Sequence, residues 1–408
     1  MKIFLVFFLL AASRATEDVL RSILRSPKAT LQLYGEFKTQ QHLNFLSSED
    51  RMRFRLFRSN AQLVAQSNEE GGSAVFGLNF FSAMTADEKQ QYLGINITGH
   101  ETEHDENPIQ VPSSLSESPI SKLWTNEGMV TKVKNQGSCG SCWTFAAVGG
   151  LETRYRKETG VLRNFAEQEY LDCVYEGTRD GCSGGWPDDP YKYSAKYGRL
   201  ASTAHYEYDA SDNSCKRSSK PDALIAAKIT GHTRVGRNWA AHIAALTTGS
   251  LSLTFQVTEY FNQYTSGIIQ DRSCTGRSNH GVSAVGYTPT YMLVKNSWGS
   301  SWGENGFVKF ARGYDGKCGL LSWSYYPNLR LTGQSDNTPS DAATGYRADD
   351  HFDPHPDPSC KDRVYTCQAF HCPHDNIAVK YCNKTCNKCC PSGTVRCPDL
   401  VCRHEHMC

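Results

Sequence analysis

Several things are scarce in this chain. The first 138 of its 408 residues hold none of its 17 cysteines, so no disulfide can lie within that part. Neither sign of charge is in excess, because the chain has 43 Lys and Arg and 42 Asp and Glu, which gives a net charge of +1. That balance gives no electrostatic attraction to nucleic acid or to an acidic membrane surface. Beyond the N-terminus no apolar run is long enough to cross a bilayer.

The N-terminus does contain a short apolar run. The sequence MKIFLVFFLLAASRA has a lysine, an apolar stretch and then small residues. This pattern predicts a secretory signal peptide over residues 1–15, cleaved near Ala15. We therefore expect a secreted protein, or one sent to an acidic, lysosome-like compartment, where disulfides persist.

The cysteines fall into two groups. Seven lie from Cys139 to Cys318, and ten lie from Cys360 to Cys408. An even group can be fully bridged, whereas an odd group leaves one thiol free. The free thiol is therefore expected in the middle group.

Composition divides the chain into segments. Residues 16–117 are charged, and EDRMRFRLFRSNAQLVAQSN places Phe54, Phe57 and Val64 at helical spacing, which predicts an amphipathic helix before Gly71. Residues 118–327 are aromatic and glycine-rich. Residues 328–359 are rich in Asp, Ser and Pro, which predicts a disordered linker. Residues 360–408 are too short for a core without disulfides.

The stretch QGSCGSCWTF contains two close cysteines, Cys139 and Cys142, that four arrangements could explain. Structural zinc needs a second close pair, and the other middle cysteines are scattered singly. A redox pair should follow a strand, but MVTKVKNQGSCGSC ends in glycine and polar residues. Two structural cysteines leave the odd count unexplained.

The fourth arrangement makes Cys142 a nucleophile. SCWTFAAVGGLETRYRKETG predicts a helix with apolar residues on one face, with Ser141 as N-cap and Gly160 at its end. Cys142 then lies in the first turn, where unsatisfied N–H groups and the helix dipole lower a thiol pKa. A catalytic thiol benefits from that position, whereas a structural cysteine does not.

A catalytic thiol also needs a base and a group that orients the base. GVSAVGYTPTYMLVK has two apolar runs split at Thr288, which predicts a hairpin. A hairpin centred there places His280 directly opposite Asn296, eight residues away on each side. The Asn296 amide can then orient the imidazole.

Four motifs in order, QGSCGSCW, GCSGGWP, SNHGVSAVGY and VKNSWGSSWGENGF, resemble those of papain-like cysteine peptidases. The resemblance implies an α+β, papain-like two-lobe fold, with a helical lobe, an antiparallel β-barrel lobe and a helical propeptide. It implies a cysteine endopeptidase without cofactor or metal, with Cys142 as nucleophile and His280 as base. Asn296 would orient His280, Trp298 would cover this pair, and Gln136 would bind the oxyanion with the Cys142 N–H.

The same resemblance assigns further residues. It implies the disulfides Cys139–Cys182, Cys173–Cys215 and Cys274–Cys318. It also implies a set of substrate-binding residues: Gly184, Gly185, Trp186, Pro187, Thr254, Gly281, Trp302 and Trp323. Trp323, five positions after Cys318, would form the floor of the pocket for the residue preceding the cleaved one. A Trp there makes that pocket shallow, unless its ring turns into the core.

The segment before the peptidase domain resembles a cathepsin L-like propeptide. The matching helix positions are Glu49, Arg53, Phe57, Asn60, Val64 and Asn68. GLNFFSA resembles the next propeptide motif, with Ala83 where Asp is expected, so the usual acid trigger for release is expected to be weakened. HETEH, residues 100–104, fits a zinc-peptidase pattern, but its polar surroundings, bounded by Gly99 and Pro108, predict a solvated linker instead. Asn96 is a glycosylation candidate.

Residues 360–389 resemble the ShK-type toxin domain of potassium-channel blockers. The family connectivity implies the pairs Cys360–Cys389, Cys367–Cys382 and Cys372–Cys386. Lys380 and Tyr381 abut Cys382, so the dyad that plugs the channel pore is displaced, which favours a binding or stabilising module. The tail at residues 390–408 holds Cys390, Cys397, Cys402 and Cys408, predicted to form two more bridges, and Asn383 is a second glycosylation candidate.

The sequence therefore predicts a secreted, monomeric zymogen. Its partners would be polypeptide substrates and its own inhibitory propeptide, at residues 16–117, with an unknown protein bound by the ShK-type domain. The alternative from another class is a toxin-like binding or channel-modulating protein carried by a peptidase scaffold. The presence of all four catalytic candidates argues against that alternative.

Overall fold

The computed structural model describes residues 14–70, 72–95, 119–175, 181–270, 274, 277–313 and 317–336. Only the backbone is described for residues 14–18 and for two short paired strands, Val395–Arg396 and Cys402–Arg403. Residues 1–13, the HETEH sequence, both glycosylation candidates and the whole ShK-type segment lie outside the described residues.

The N-terminal segment is helical. Its elements are α1 (Arg14–Arg25), α2 (Pro27–Gln40), α3 (Ser47–Glu69), β1 (Val75–Phe76), a 3-10 turn (Phe80–Ala83) and α4 (Ala86–Gln90). The predicted amphipathic helix is confirmed as α3, whose apolar face buries Phe57 and Val64 against α2. The asparagines of the propeptide motif connect α3 to β1 and the 3-10 turn. Asn60 donates to the Ser82 carbonyl (2.9 Å), and Asn68 forms a hydrogen-bonded pair with the Phe76 backbone.

The helical lobe is built around one central helix. Its helices are α5 (Cys142–Thr159), α6 (Glu167–Cys173) and α7 (Asp189–Tyr197). The predicted one-sided apolar face of α5 is wrong, because 14 of its 18 residues are buried. The helix packs against the sheet, against α6 and α7, and beneath the cleft, so nearly every side needs non-polar or paired side chains. Gly160 ends it in the left-handed conformation (φ 79°) that glycine adopts without strain.

The second lobe is an eight-stranded sheet with two short helices. Its elements in chain order are β2 (Lys122–Leu123), β3 (Ala227–Arg234), α8 (Trp239–Leu246), β4 (Leu251–Phe255), α9 (Glu259–Asn262), β6 (Ile268–Ile269), β7 (His280–Tyr287), β8 (Tyr291–Lys295), β9 (Phe307–Ala311) and β10 (Ser324–Leu331). The spatial order is β3-β10-β4-β7-β8-β9-β6, with β2 on β7. The predicted antiparallel lobe is confirmed, since every pair is antiparallel except the short edge pair β6–β9, which is parallel. The remaining strand, β5 (Tyr264–Ser266), pairs with β1 of the N-terminal segment.

The predicted boundary of the linker at residue 328 is too early. Strand β10 continues to Leu331, which pairs with Ala227 of β3. Thr332 donates from its N–H to the Ala226 carbonyl (3.0 Å), and the carboxylate of Asp336 is buried against Arg163. Pairing with β3 holds this segment, so the peptidase domain extends further than predicted. The composition of the segment carries no sign of that pairing.

In the described ranges no helix is both long enough and apolar enough to span a membrane.

Candidate active site

Cys142 lies at the first residue of α5, where the helix meets strand β7. Its side chain is fully buried, and the N–H of Gly281 on β7 donates to its Sγ (3.3 Å). It is the one unbridged cysteine among the described residues. Ser141 does precede the helix, but its hydroxyl makes no capping bond and instead contacts the Tyr208 hydroxyl (2.6 Å). The predicted side-chain cap is therefore wrong, because a tertiary partner takes that hydroxyl.

His280 and Asn296 are in contact, although not at the register the sequence predicted. Nε2 of His280 lies 2.8 Å from Oδ1 of Asn296. In the ladder, Ser283 is opposite Lys295, so Asn296 continues opposite residue 282 and reaches His280 diagonally. Tyr287 is opposite Met292, so the hairpin turns between Pro289 and Thr290 and not at Thr288, and the bulge between Ala284 and Gly286 moves the register back by only one residue. Diagonal neighbours on one face remain within side-chain reach, which is why the contact survives.

The hydrogen bonds fix which His280 nitrogen carries the proton. Oδ1 of Asn296 also accepts from the Ser297 N–H (2.8 Å), so that amide atom must be the oxygen. Nε2 of His280 therefore donates to Asn296, and in the neutral ring Nδ1 carries the lone pair. Nδ1 has no hydrogen-bond partner among the described residues by distance and angle, although the Tyr92 backbone of the N-terminal segment lies near enough to the ring to act on its pKa. Asn296 thus binds the ring through Nε2, and Nδ1 is the nitrogen that accepts a further proton.

The site is covered and dry in this form of the chain. The Trp298 ring lies over His280, with centroids 4.7 Å apart, and both side chains are almost fully buried. Burial lowers the pKa of His280 to about 4 and raises the pKa of Cys142 to about 12. In this form of the chain burial therefore favours the neutral thiol and the neutral imidazole.

Gln136 lies in the loop before α5, with its side chain oriented by three hydrogen bonds. Ser297 donates from its hydroxyl to Oε1 (2.7 Å), which leaves Nε2 as the donor. That Nε2 donates to the Cys139 carbonyl (2.8 Å) and to the Tyr92 carbonyl of the N-terminal segment (3.2 Å). A peptide carbonyl therefore already occupies a position where Nε2 can donate to a carbonyl oxygen.

The segment after α4 covers the cleft. The Gly185 N–H donates to the Gly94 carbonyl (2.8 Å), and Ile95 pairs with Gly185 in a parallel bridge. The N–H groups of Gly94 and Ile95 both approach the Asn279 carbonyl at 3.2 Å. Sequence reasoning did not identify these residues as site contacts, since nothing in YLGI marks a segment that binds to a cleft.

The two glycines of GCSGGWP are required by close contacts. A Cβ on Gly184 would stand 2.8 Å from the Gly94 carbonyl oxygen, and one on Gly185 would stand 2.6 Å from the Trp143 ring. Gly184 also has φ 122°, a conformation rare for other residues. Because Gly184 and Gly185 have no side chains, an extended peptide backbone can approach this wall of the cleft closely.

Trp186 and Trp323 form an aromatic corner beside these glycines. Their rings are 5.5 Å apart and edge to face, and Trp323 is only half-buried. The guanidinium groups of Arg234 and Arg237 also lie over the Trp323 ring, 4.2 and 5.1 Å from its centroid. Trp323 therefore contacts Trp186, and its ring does not turn fully into the core.

Thr254 and Gly281 are opposite each other on β4 and β7, next to this corner. The Thr254 hydroxyl donates to that of Ser278 (2.9 Å), and its N–H donates to the Trp323 carbonyl (3.0 Å). Ser278 was not predicted as a site residue, although it lies two positions before His280. Pro187, the remaining predicted member of this wall, is also buried.

Trp302 is placed differently from the other substrate-binding candidates. Its side chain is fully buried beneath Trp298, with ring centroids 5.1 Å apart, and it donates to the Asn262 carbonyl (3.2 Å). It therefore supports Trp298 from the core of the sheet lobe and is not brought together with Gly184 and Gly185.

Three disulfides are present in the peptidase region: Cys139–Cys182, Cys173–Cys215 and Cys274–Cys318. The first joins the loop before α5 to the GCSGGWP segment, so it links Cys142 to the glycine wall. No group of His, Cys, Asp and Glu suited to a metal ion occurs in the part of the chain that the structure describes.

Comparison with known families gives two matches. A model described as "Papain family cysteine protease" matches residues 118–328. A second, described as "Cathepsin propeptide inhibitor domain (I29)", matches residues 34–88. The first contains every candidate catalytic residue, and the second contains α3 and the turn that ends at Ala83.

Individual relatives match over most of their length. Papain of Carica papaya is 33% identical over 74% of this chain and 88% of its own. Cathepsin L of Sarcophaga peregrina is 32% identical over 72% of this chain and 91% of its own. The solved structure of digestive procathepsin L2 from Tenebrio molitor superposes with a TM-score of 0.66 at 30% identity, covering 73% of this chain and 99% of that one.

Proposed function

The chain belongs to the papain family of cysteine proteases and is a cysteine endopeptidase made as a zymogen. From that premise we propose that Cys142 is its nucleophile, His280 its general acid and base, and Asn296 the residue that orients His280. Gln136 stabilises the oxyanion. The observation that supports this most strongly is the His280–Asn296 bond of 2.8 Å, which leaves Nδ1 to accept a proton, while the N–H of the next residue, Gly281, donates to Sγ of Cys142 (3.3 Å).

The reaction follows from these positions. Proton transfer from Sγ of Cys142 to Nδ1 of His280 gives a thiolate, which attacks the carbonyl carbon of the peptide bond. Negative charge then develops on the carbonyl oxygen, where Nε2 of Gln136 and the Cys142 N–H donate to it. The imidazolium of His280 returns the proton to the leaving amine. Water, activated by His280, then hydrolyses the thioester and frees Cys142. Peptide hydrolysis that disappears in Cys142→Ala is the test.

The N-terminal segment explains why the zymogen is inactive. It places the Tyr92 carbonyl on Gln136 and the Gly94 carbonyl on Gly185, so the cleft is occupied. It also excludes water, and burial keeps the Cys142 thiol and the His280 imidazole neutral. Removal of the segment exposes both groups to water, which reverses the desolvation and allows the thiolate to form.

Release of the segment is expected to depend weakly on mild acid. In place of a carboxylate at Ala83, Arg53 binds Glu49 (2.7 Å) and Glu88, and donates to the Ala83 carbonyl (3.0 Å). Hydrogen bonding to Arg53 lowers the pKa of Glu88 to about 2. Because this pKa lies below the ordinary value of 4.5, the ionised Glu88 stabilises the folded segment fully above pH 4.5. That stability is lost as pH falls from 4.5 toward 2. Glu88 therefore stays ionised at pH 5 and does not act as a trigger there.

Replacing Ala83 by Asp is expected to steepen the acid dependence of processing. Position 83 is buried, and its carbonyl accepts from Arg53, so the new carboxylate meets a cation. Its pKa is then lowered below the unfolded value of about 3.9, so, as for Glu88, its contribution to stability is lost only as pH falls below that value, and the steepening is expected there. Rates of prosegment loss measured from pH 6 to pH 3 test this. Ala83→Asn is the uncharged control, and identical pH profiles for the Asp and Asn variants would contradict it.

We also propose that Trp323 limits the pocket for the residue preceding the cleaved one. Its ring contacts Trp186 edge to face and lies under the guanidinium groups of Arg234 and Arg237, and these contacts support a fixed ring and a shallow floor. Val, Leu or Pro fit above such a floor, whereas the ring of Phe or the chain of Arg would clash. One or two methylenes change discrimination by about 1–3 kcal/mol, and a whole ring is expected to be excluded more strongly.

Trp323→Ala should therefore raise kcat/KM for substrates with Phe at this position by about 10-fold or more, and change Val substrates by less than about threefold. A peptide series that varies only this residue measures both values. Trp239→Ala serves as a control that removes an indole from α8 outside the pocket. A wild-type enzyme that already prefers Phe would refute the shallow pocket.

The ends of the chain extend this proposal. The signal-peptide pattern at residues 1–15 supports secretion or delivery to an acidic compartment, and relatives such as cathepsin L support the same pair of destinations. The six cysteines of residues 360–389 support an ShK-type domain that binds another protein. Detection of the pairs Cys360–Cys389, Cys367–Cys382 and Cys372–Cys386 by peptide mapping tests that part.

A further inference from the structure

The chain leaves the peptidase domain at a defined place. Asp336, the last described residue before the acidic segment, has a fully buried carboxylate. Arg163 binds it through Nε (3.0 Å) and through its terminal nitrogen, and Tyr155 donates to it (3.2 Å). A buried carboxylate held by a guanidinium and a phenol is strongly bound, so the exit point is fixed.

This exit lies far from the nucleophile. Tyr155 and Cys142 are both on α5, thirteen positions apart. At about 1.5 Å per residue, the two ends of that span are about 20 Å apart. The C-terminal region therefore starts at the end of α5 opposite Cys142.

A basic patch lies close to the exit point, around Tyr197, an exposed aromatic residue at the end of α7. Lys196 and Arg217 stack on its ring at 5.0 and 4.1 Å. Arg199 donates to the backbone carbonyls of Arg217 and Lys220, which joins the helix end to the 216–220 loop. We define the basic patch by these members: Lys196, Tyr197, Lys216, Arg217 and Lys220.

Three ammonium groups of this patch, those of Lys196, Lys216 and Lys220, form no ion pair with the described residues. The neighbouring acids are already bound. Their pairs are Glu169 with Arg199, Asp188 and Asp189 with Lys192, and Asp222 with Lys228. Uncompensated positive charge of this kind attracts an anionic segment.

The segment from Lys220 to Ala226 connects the basic patch to the surroundings of Asp336. Leu200 follows Arg199 and accepts from the Ala223 N–H (2.8 Å). Three residues later the Ala226 carbonyl accepts from Thr332 and the Ala226 N–H donates to the Tyr155 hydroxyl, which binds Asp336. Lys220 lies six residues before Ala226, a span of at most about 22 Å, and the thirteen residues from Asp336 to Asp349 can extend over about 40 Å, so the segment after Asp336 is long enough to reach the patch.

The segment after Asp336 carries the complementary charge. Residues 337–359 contain one arginine and five aspartates: Asp341, Asp349, Asp350, Asp353 and Asp357. We propose that this acidic segment docks on the basic patch around Tyr197. It thereby holds the C-terminal cysteine-rich region on the helical lobe, at the end of α5 distant from Cys142, and leaves the cleft accessible. Each exposed contact is weak, but attachment at Asp336 gives the acidic segment a high effective concentration at the patch.

Zero-length coupling of the full chain with a water-soluble carbodiimide tests this, since it links a carboxylate to an amine only in direct contact. We expect amide cross-links from Lys196, Lys216 or Lys220 to aspartates of 337–359 at low salt. Their yield should fall about fivefold in 1 M NaCl, because exposed charges are screened there. It should fall equally when Asp349, Asp350 and Asp353 are changed to Asn.

A charge-reversal pair completes the test. The variant with Lys196, Lys216 and Lys220 changed to Glu should lose the remaining cross-links of the segment. The matched control, with the exposed cations Lys132, Lys157 and Arg312 changed to Glu, should keep the wild-type cross-links. Hydrolysis of a short peptide, unchanged in both triple variants, shows that they fold.

Cross-links spread equally over lysines outside the patch would overturn the proposal. So would cross-links that are absent while the full chain binds heparin in a salt-sensitive way through these three lysines. That second outcome would assign the patch to an external polyanion.

Discussion

Cys142→Ala is expected to abolish peptide hydrolysis, with kcat falling by at least about 10⁴-fold, because the chain then has no thiol to form the acyl-enzyme. The change should leave the fold intact. It removes no disulfide, since Cys142 is the unbridged cysteine of the described region, and alanine is well suited to a buried first turn of a helix. Activity on a fluorogenic peptide after prosegment removal measures the loss.

The control for this experiment is the folded state of the variant. Its circular dichroism spectrum and its three disulfides in the peptidase region should match those of the wild type. A loss of activity can then be assigned to the missing nucleophile and not to unfolding. Added exogenous prosegment should still bind the variant, because Tyr92, Gly94 and Ile95 contact the backbone and Gln136 and make no bond that needs the thiol proton. Residual hydrolysis near the wild-type rate would refute the nucleophile assignment.

The second large effect concerns the base and the amide that orients it. His280→Ala should lower kcat/KM by about 10²–10⁴-fold, because it deletes the proton acceptor and the donor to the leaving amine. Asn296→Ala should cost about 10-fold, since the imidazole remains but its Nε2 loses the bond that selects the tautomer. The difference between the two losses, measured on one substrate, tests the orienting role.

Removing the His280 ring leaves space between Phe255 and Trp298, so a second variant guards against unfolding. His280→Gln fills most of that space without a titratable nitrogen and should be as inactive as His280→Ala. Equal losses for Asn296→Ala and His280→Ala would argue against an orienting role for Asn296.

The sequence predicted which residues meet better than it predicted how they meet. The two apolar runs around Thr288 correctly indicated a hairpin that brings His280 to Asn296. The exact register was not predicted, because the turn lies between Pro289 and Thr290 and not at Thr288, and a bulge between Ala284 and Gly286 then shifts the pairing by one residue. The contact tolerated the error because diagonal neighbours on one face still touch.

Ser141 and the linker boundary failed for a related reason. Local signals favoured Ser141 as a cap, but Tyr208, 67 positions away, takes its hydroxyl. Composition favoured a linker from residue 328, but pairing with β3 holds the chain to Leu331, and the Arg163 ion pair holds Asp336. In both cases a partner distant in sequence decides the local structure, and single-sequence patterns carry no information about such partners.

The prosegment was predicted from its motif, and the structure shows which contacts it makes in the cleft. Sequence matching identified α3 and Ala83. It did not predict that Tyr92 approaches Gln136 or that Ile95 pairs with Gly185. These contacts are made through backbone atoms, which every residue has, so side-chain patterns do not reveal them.

The central claim is that Cys142 is a nucleophile that becomes reactive when the prosegment leaves. Labelling with an epoxide inhibitor of cysteine peptidases tests it most directly, with the modified residue located by mass spectrometry before and after activation. We expect one inhibitor per activated chain, attached to Sγ of Cys142. We expect little labelling of the zymogen, because burial raises the pKa of its Cys142 thiol to about 12. An activated chain that stays unlabelled, or one labelled at another cysteine, would contradict it.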